Sequence, residues 1–398
     1  MGRAGRGLFG GTLDRRVAPI VAVSFIYSAS VSTFWVYVGI YAVKGLHWPA
    51  ARVGLLFLAS APAAAIANYL AGRISDHTGR KPLIVGSFFA CAATMLLLAW
   101  LGHITALVFV LVVVLGVIGA PAYSLDRVLV ADLVHEEKRR ENAYATVRVA
   151  SNLGNLSGPP LAALLVFVAG WTAFLLGIAA LAVVGGFLAV TLLPGGRAVP
   201  EGREGASLRT VLRDRPFALL LLSTLLAFTV YCGFETVLPV LAVSSYGLAP
   251  STWGLLVIIS PALVVVGQLR LTRATGRVPL ALRLAGATLL MGLPFLALLV
   301  SARVAVIALV IVVFVIGEMV WMPTSQAVAA ELAPPHIRGT YFGALAATTG
   351  PAWTLAPFIA LQLRAHAGTN SVWLFFAAIA LAAAAAGAAA VRSSRRRP

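Results

Sequence analysis

Twelve apolar runs follow one another along this 398-residue chain, at about 17–43, 53–72, 82–102, 104–125, 143–168, 171–193, 216–243, 252–270, 279–301, 304–328, 339–362 and 371–391. Each reaches the roughly 20 residues that a helix needs to cross a bilayer core. Hydrocarbon offers no water to a backbone N–H or C=O, so runs of this length must close their own hydrogen bonds as helices. The pattern predicts an all-α membrane protein with twelve transmembrane helices. Only Gly170 and Trp171 mark the boundary between the fifth and sixth runs. The charged fraction agrees with this class: 11%, against about 25% in soluble domains.

The net charge of +17 would suit a polyanionic partner if it lay on one domain face. It lies instead in short loops between apolar runs, so no nucleic acid partner is expected. Twelve crossings put both termini on one side, and the positive-inside rule chooses that side. With the N-terminus inside, the inner segments hold 26 basic residues and the outer ones hold 4, namely Lys44, Arg52, Arg303 and Arg364. Arg3, Arg6, Arg15 and Arg16 precede an uncharged stretch that reaches Val43. That is too long for a signal-peptide core of about 7–15 residues, so the first run reads as an uncleaved span. The expected location is the cell (inner or plasma) membrane, multi-pass, with both termini cytoplasmic. Cys91 and Cys232 lie inside apolar runs and imply no disulfide framework.

The chain repeats itself. Gly54-Leu55-Leu56 and Ser60 match Gly254-Leu255-Leu256 and Ser260 at an offset of 200, and Gly79-Arg80 match Gly276-Arg277 at 197. Arg140 and Pro159 match Arg338 and Pro357 at 198. The ordered series indicates a duplicated six-span unit. It divides the chain into a bundle at 1–193, a polar, arginine-rich linker at 194–215 and a second bundle at 216–398.

Between the second and third runs stands Gly72-Arg73-Ile74-Ser75-Asp76-His77-Thr78-Gly79-Arg80-Lys81-Pro82. Gly79 can take the positive φ of a tight turn, and Pro82 can stand in the first turn of a helix, where a missing N–H does no harm. Read as G-x-x-x-D-x-x-G-R-K, the stretch resembles the signature loop of the major facilitator superfamily. His77 stands where that pattern usually carries a basic residue. The resemblance implies two pseudo-symmetric six-helix bundles around one cavity, and a conformational latch of Gly72, Asp76, Gly79 and Arg80 with Asp132 near the inner end of the fourth span. The fifth run carries Arg148, Asn152, Gly154, Gly158 and Pro159. With Ala145, Ala162 and Ala163 in place of three glycines, this resembles the helix 5 motif of drug–proton antiporters. The arginine that many such antiporters carry in span 4 is absent, since no Arg occurs between 104 and 126.

Ionisable residues inside spans are costly and are functional by default. The acids are Asp126, Glu235 and Glu318. A carboxylate in a low-dielectric cavity has its charged form disfavoured, which suits it to load and lose a proton. Glu235 shares a helical face with Thr224, Phe228 and Tyr231, and Glu318 shares one with Trp321, Met322 and Ser325. Tyr27, Phe34 and Tyr37 lie on one face of the first span. The resemblance implies that spans 1, 4, 7 and 10 line the cavity, which makes Tyr27, Phe34, Tyr37, Phe228, Tyr231 and Trp321 candidate substrate contacts. Asp126 adjoins Arg127 and reads better as a structural ion pair. Glu235 therefore ranks before Glu318, and Asp126 comes last.

No G-x-x-x-x-G-K-[ST] phosphate loop occurs, which argues against an ATP-driven pump. No catalytic cluster, cofactor or metal set is expected. The reading is secondary active transport by alternating access: proton-coupled export of a small amphipathic or drug-like compound by a monomer in a lipid bilayer. Two alternatives stay open, namely a proton symporter for a nutrient and a transport-inactive membrane receptor.

Overall fold

The computed structural model describes residues 17–60, 63, 78–102, 104–133, 137–195, 208–334 and 338–394. Among these residues every regular element is helical. In chain order the helices are α1 (Ala18–Gly45), α2 (Ala50–Ser60), α3 (Arg80–Leu101), α4 (Thr105–Leu133), α5 (Glu137–Leu192), α6 (Leu208–Arg213) and α7 (Arg215–Ser244). They continue as α8 (Pro250–Leu256), α9 (Ile259–Thr275), α10 (Leu280–Leu299), α11 (Val304–Leu332), α12 (Arg338–Ala347), α13 (Thr349–Ala367) and α14 (Thr369–Ser394). Nine helical segments of the described residues are long and apolar enough to cross a bilayer. The chain is a multi-pass membrane protein. Side chains such as Trp100 and Phe167, exposed by 79% and 77%, suit a lipid surround rather than water.

Local chemistry places the breaks. Gly79 does adopt a positive φ, 86°, immediately before α3. Asp214 caps α7 by accepting a hydrogen bond from the Phe217 amide at 3.4 Å, and Pro216 fills the first turn. Gly170, at φ 76° and ψ −171°, interrupts α5 and divides it into two spans, at the boundary expected from the sequence.

The backbone carries the internal repeat more clearly than the side chains do. After α1, Leu46 N–H bonds Tyr41 O and Trp48 N–H bonds Ala42 O; 200 residues later, Tyr246 N–H bonds Leu241 O and Leu248 N–H bonds Ala242 O. Each turn holds one left-handed residue, His47 at φ 58° and Gly247 at φ 73°. Gly170 likewise has its counterpart in Gly368, at φ 81°.

Contacts gather the described residues into two compact units. One takes Met1–Val38 with Ala63–Glu201, the other Gly39–Pro62 with Gly202–Pro398. In the first, glycines of α5 seat α1. A Cβ at Gly154 would lie 2.5 Å from Phe25 O, and one at Gly158 would overlap Thr33 Oγ1 and lie 2.9 Å from Ala29 O. Lys81 Nζ donates to Leu193 O, just past the end of α5, at 2.8 Å, a cation well placed at a helix C-terminus.

The second unit is built on aromatic stacking. Phe234 stacks on Phe314 at 4.2 Å and Phe295 on Trp373 at 5.3 Å. Ser223 Oγ donates to Ala383 O at 2.8 Å, joining α7 to α14. In the same unit α2 lies against α13. Gln362 Nε2 donates to Ala51 O at 3.2 Å, and Gly54 approaches the Phe358 backbone so closely that a Cβ would sit 3.3 Å from Phe358 Cα.

Candidate functional site

Glu235 lies in a π-helical turn of α7, Gly233–Val237. Pro239 explains the turn. It has no N–H to give to the Glu235 carbonyl four residues back, so the regular ladder cannot continue. Leu238 N–H instead reaches Gly233 O, five residues back. Single π turns of this kind recur at functional sites. Two neighbouring helices repeat the device. Pro323 in α11 withholds its donor from the Met319 carbonyl, next to Glu318, and Pro357 in α13 does so for Trp353.

Around these breaks the second unit assembles two acids and an aromatic cluster. Glu235 stands one helical turn after Tyr231 on α7, and Glu235 and Glu318 are both near enough to act electrostatically on that tyrosine. The Tyr231 ring lies 6.2 Å from Trp353, 6.3 Å from Phe314 and 5.9 Å from Phe228, and Phe228 meets Trp321 edge-on at 5.1 Å. Trp321 Nε1 and Thr224 Oγ1 are buried with no hydrogen-bond partner. Both belong to residues that flank Phe228, one across the ring contact and one a helical turn earlier. The cluster is thus apolar in its walls and acidic at one edge, with two polar atoms unspent. Basic groups on the packed helices lie in their terminal turns, at Arg215, Arg270, Arg273, Arg283, Arg364, His366 and Arg392.

Four of the residues singled out in the sequence therefore come together with Glu318: Glu235, Phe228, Tyr231 and Trp321. Tyr27, Phe34 and Tyr37 belong to the first unit. All three are buried within the first unit. Tyr27 donates to Gly119 O at 3.1 Å and meets Phe88 edge-on, Phe34 stacks on Phe174 at 6.4 Å, and Tyr37 donates to Pro159 O at 3.3 Å. Arg80 is buried at the start of α3, 7% exposed. Gly72 and Asp76 lie outside the described residues, as do the side chains of Asp126, Asp132 and Arg148. Asn152 is half-buried on α5, and Gly154 and Gly158 are packed under α1. Trp353, Phe314 and the three prolines were not legible as site residues. A proline four or five residues beyond an intramembrane acid or aromatic is the signal that finds the prolines.

The sequence profile described as Major Facilitator Superfamily matches residues 20–357. The chain belongs to the major facilitator superfamily. Among curated relatives it is 24% identical over 344 residues to the uncharacterized MFS-type transporter YqjV of Bacillus subtilis, covering 84% of this chain and 80% of that one. It is 28% identical over 171 residues to the human synaptic vesicular amine transporter, covering 42% of this chain and about a third, 32%, of the amine transporter's length. Solved structures of the same fold include a POT family transporter in complex with a thioalcohol-conjugated peptide, with TM-score 0.80, 16% identity and 98% of both chains covered. The nucleoside transporter NupG aligns with TM-score 0.72 and 16% identity, over 95% of this chain and all of that one. These likenesses establish a major facilitator fold for this chain.

Proposed function

We propose that this transporter is a proton-coupled antiporter that exports a small amphipathic, drug-like compound by alternating access, and that Glu235 carries the proton with Glu318 as its neighbour. The observation that carries the reading is the Glu235–Tyr231–Glu318 group inside an aromatic cluster, at a break in its helix. Aromatic faces and carboxylates together suit a compound with an apolar body and a basic nitrogen, through cation–π and charge contacts. The relative named as an amine transporter supports the same class. A proton and a cationic ligand competing for one acidic edge give antiport without further machinery.

The remaining parts of the proposal follow the sequence. Twelve spans form two bundles at 1–193 and 216–398, joined by the linker at 194–215. Arg80 pairs with Asp76 and Asp132 as a latch, a monomer works alone in the cell membrane, and both termini are cytoplasmic. A cysteine at Ala249, an exposed site, reacts with impermeant thiol reagents in intact cells, and one at Ser394 does not. Reversed labelling overturns the orientation.

The transport test is a screen for collapse of an imposed pH gradient in inverted membrane vesicles. Amphipathic amines collapse an inside-acid gradient as they enter in exchange for protons. Failure of every amine to collapse it removes this reading, and movement of solute together with protons replaces it with symport.

A further inference from the structure

The α11 helix passes Glu318 and then meets Pro323, which leaves the Met319 carbonyl without its helical donor. That carbonyl is bonded all the same. Gln268 of α9 reaches across and donates Nε2 to Met319 O at 3.0 Å. Only the amide nitrogen can bond a carbonyl, so the orientation of the Gln268 amide is fixed by its partner. The side chain is braced from its own helix. Its Nε2 also meets Thr272 Oγ1 at 3.1 Å, and Thr272 Oγ1 donates to Gln268 O at 2.8 Å. Gly267 makes room for the approach, since a Cβ there would sit 3.0 Å from Met319 Cε.

We propose that Gln268 is a positioning residue: it supplies the hydrogen bond that Pro323 withholds and so fixes the α11 turn that presents Glu318 and Trp321. A buried carbonyl left unbonded is costly, and at a proline break the helix is free to bend toward whatever satisfies it. Gln268 decides where that is. The acid precedes the clamped carbonyl by one residue and Trp321 follows it by two, so the clamp sets the direction of both side chains. The link to transport rests on the antiport reading above; the clamp itself does not.

The test is a double-mutant cycle on the full chain in lipid nanodiscs. Gln268→Leu keeps the bulk and removes the donor. Pro323→Ala gives residue 323 an N–H for Met319 O and makes the clamp redundant. Amide hydrogen exchange is read on peptides covering 319–327, with α14 peptides as the internal control. Gln268→Leu speeds exchange in 319–327 at least tenfold and leaves α14 unchanged. Added to Pro323→Ala, the same substitution changes nothing. An unchanged Gln268→Leu, or a faster exchange that persists in the Pro323→Ala background, overturns the proposal. Trp321 emission shifts in Gln268→Leu and returns in the double variant; no shift overturns the effect on the site. In vesicles, the gradient-driven rate falls about tenfold in Gln268→Leu but is unaffected by that change in the Pro323→Ala background. If the unmutated chain dissipates no gradient, the antiport reading fails while the exchange cycle still decides the clamp.

Discussion

Glu235→Gln abolishes proton exchange and leaves ligand binding in place. Gln keeps the shape of Glu, so the π turn and the aromatic cluster around it survive. What it cannot do is change charge. Proton release on addition of an amphipathic amine to the purified protein drops from about one proton per ligand to none, because a neutral amide has no proton to exchange. The pH dependence of binding flattens with it, and gradient-driven transport falls to the rate of empty vesicles. Asp126→Asn leaves release intact. Undiminished release from Glu235→Gln moves the role to Glu318. Undiminished release from the Glu235→Gln/Glu318→Gln double variant ends the case for proton coupling through either acid.

Gly158→Leu removes folded protein. Even a Cβ at this position overlaps the Thr33 hydroxyl and lies 2.9 Å from the Ala29 carbonyl, and neither backbone can withdraw without unseating α1 from α5. Ordinary overpacking costs about 1–3 kcal/mol. Here the obstacle includes the Ala29 main chain as well as the Thr33 hydroxyl, so the cost lies at or above the upper end of that range. The expected result is loss of the monodisperse peak in size-exclusion chromatography. Gly86→Ala, with nothing within 4 Å of the added atom, elutes like the unmutated protein. A normal peak for Gly158→Leu refutes the packing argument.

These glycines show what a sequence can carry. Gly154, Gly158 and Pro159 were legible as a small-residue motif, because close helix approach leaves a mark in residue size. The structure adds their partner: they seat α1. The membrane class and the start of α3 after Gly79 were also readable, since each rests on local chemistry. The face carrying Glu235, Phe228 and Tyr231 was readable from helical spacing. Helical spacing says which residues share a face and not where that face looks. Tyr27, Phe34 and Tyr37 share a stripe, and the structure adds their ring partners within their own unit, Phe88 and Phe174. The π turn at Ser28–Ser32 adds to the difficulty. Each residue of a regular helix advances by about 100°, so an extra residue in one turn rotates everything beyond it. Trp353 and Gln268 were invisible for another reason. Their roles depend on which helices become neighbours, and no single span records that.

Three helices of the second unit lose a rung of their hydrogen-bond ladder beside the same cluster of side chains, at Glu235, Met319 and Trp353. Stiff rods on either side of a soft joint act as levers. About 20 residues of α7 precede its joint, a rod of roughly 30 Å, so a bend of about 5° moves the far end by some 2–3 Å. Compliance is concentrated beside the two acids. On the antiport proposal, a proton gained or lost at Glu235 acts at the fulcrum, and a local change of hydrogen bonding there is magnified at the far end of the rod.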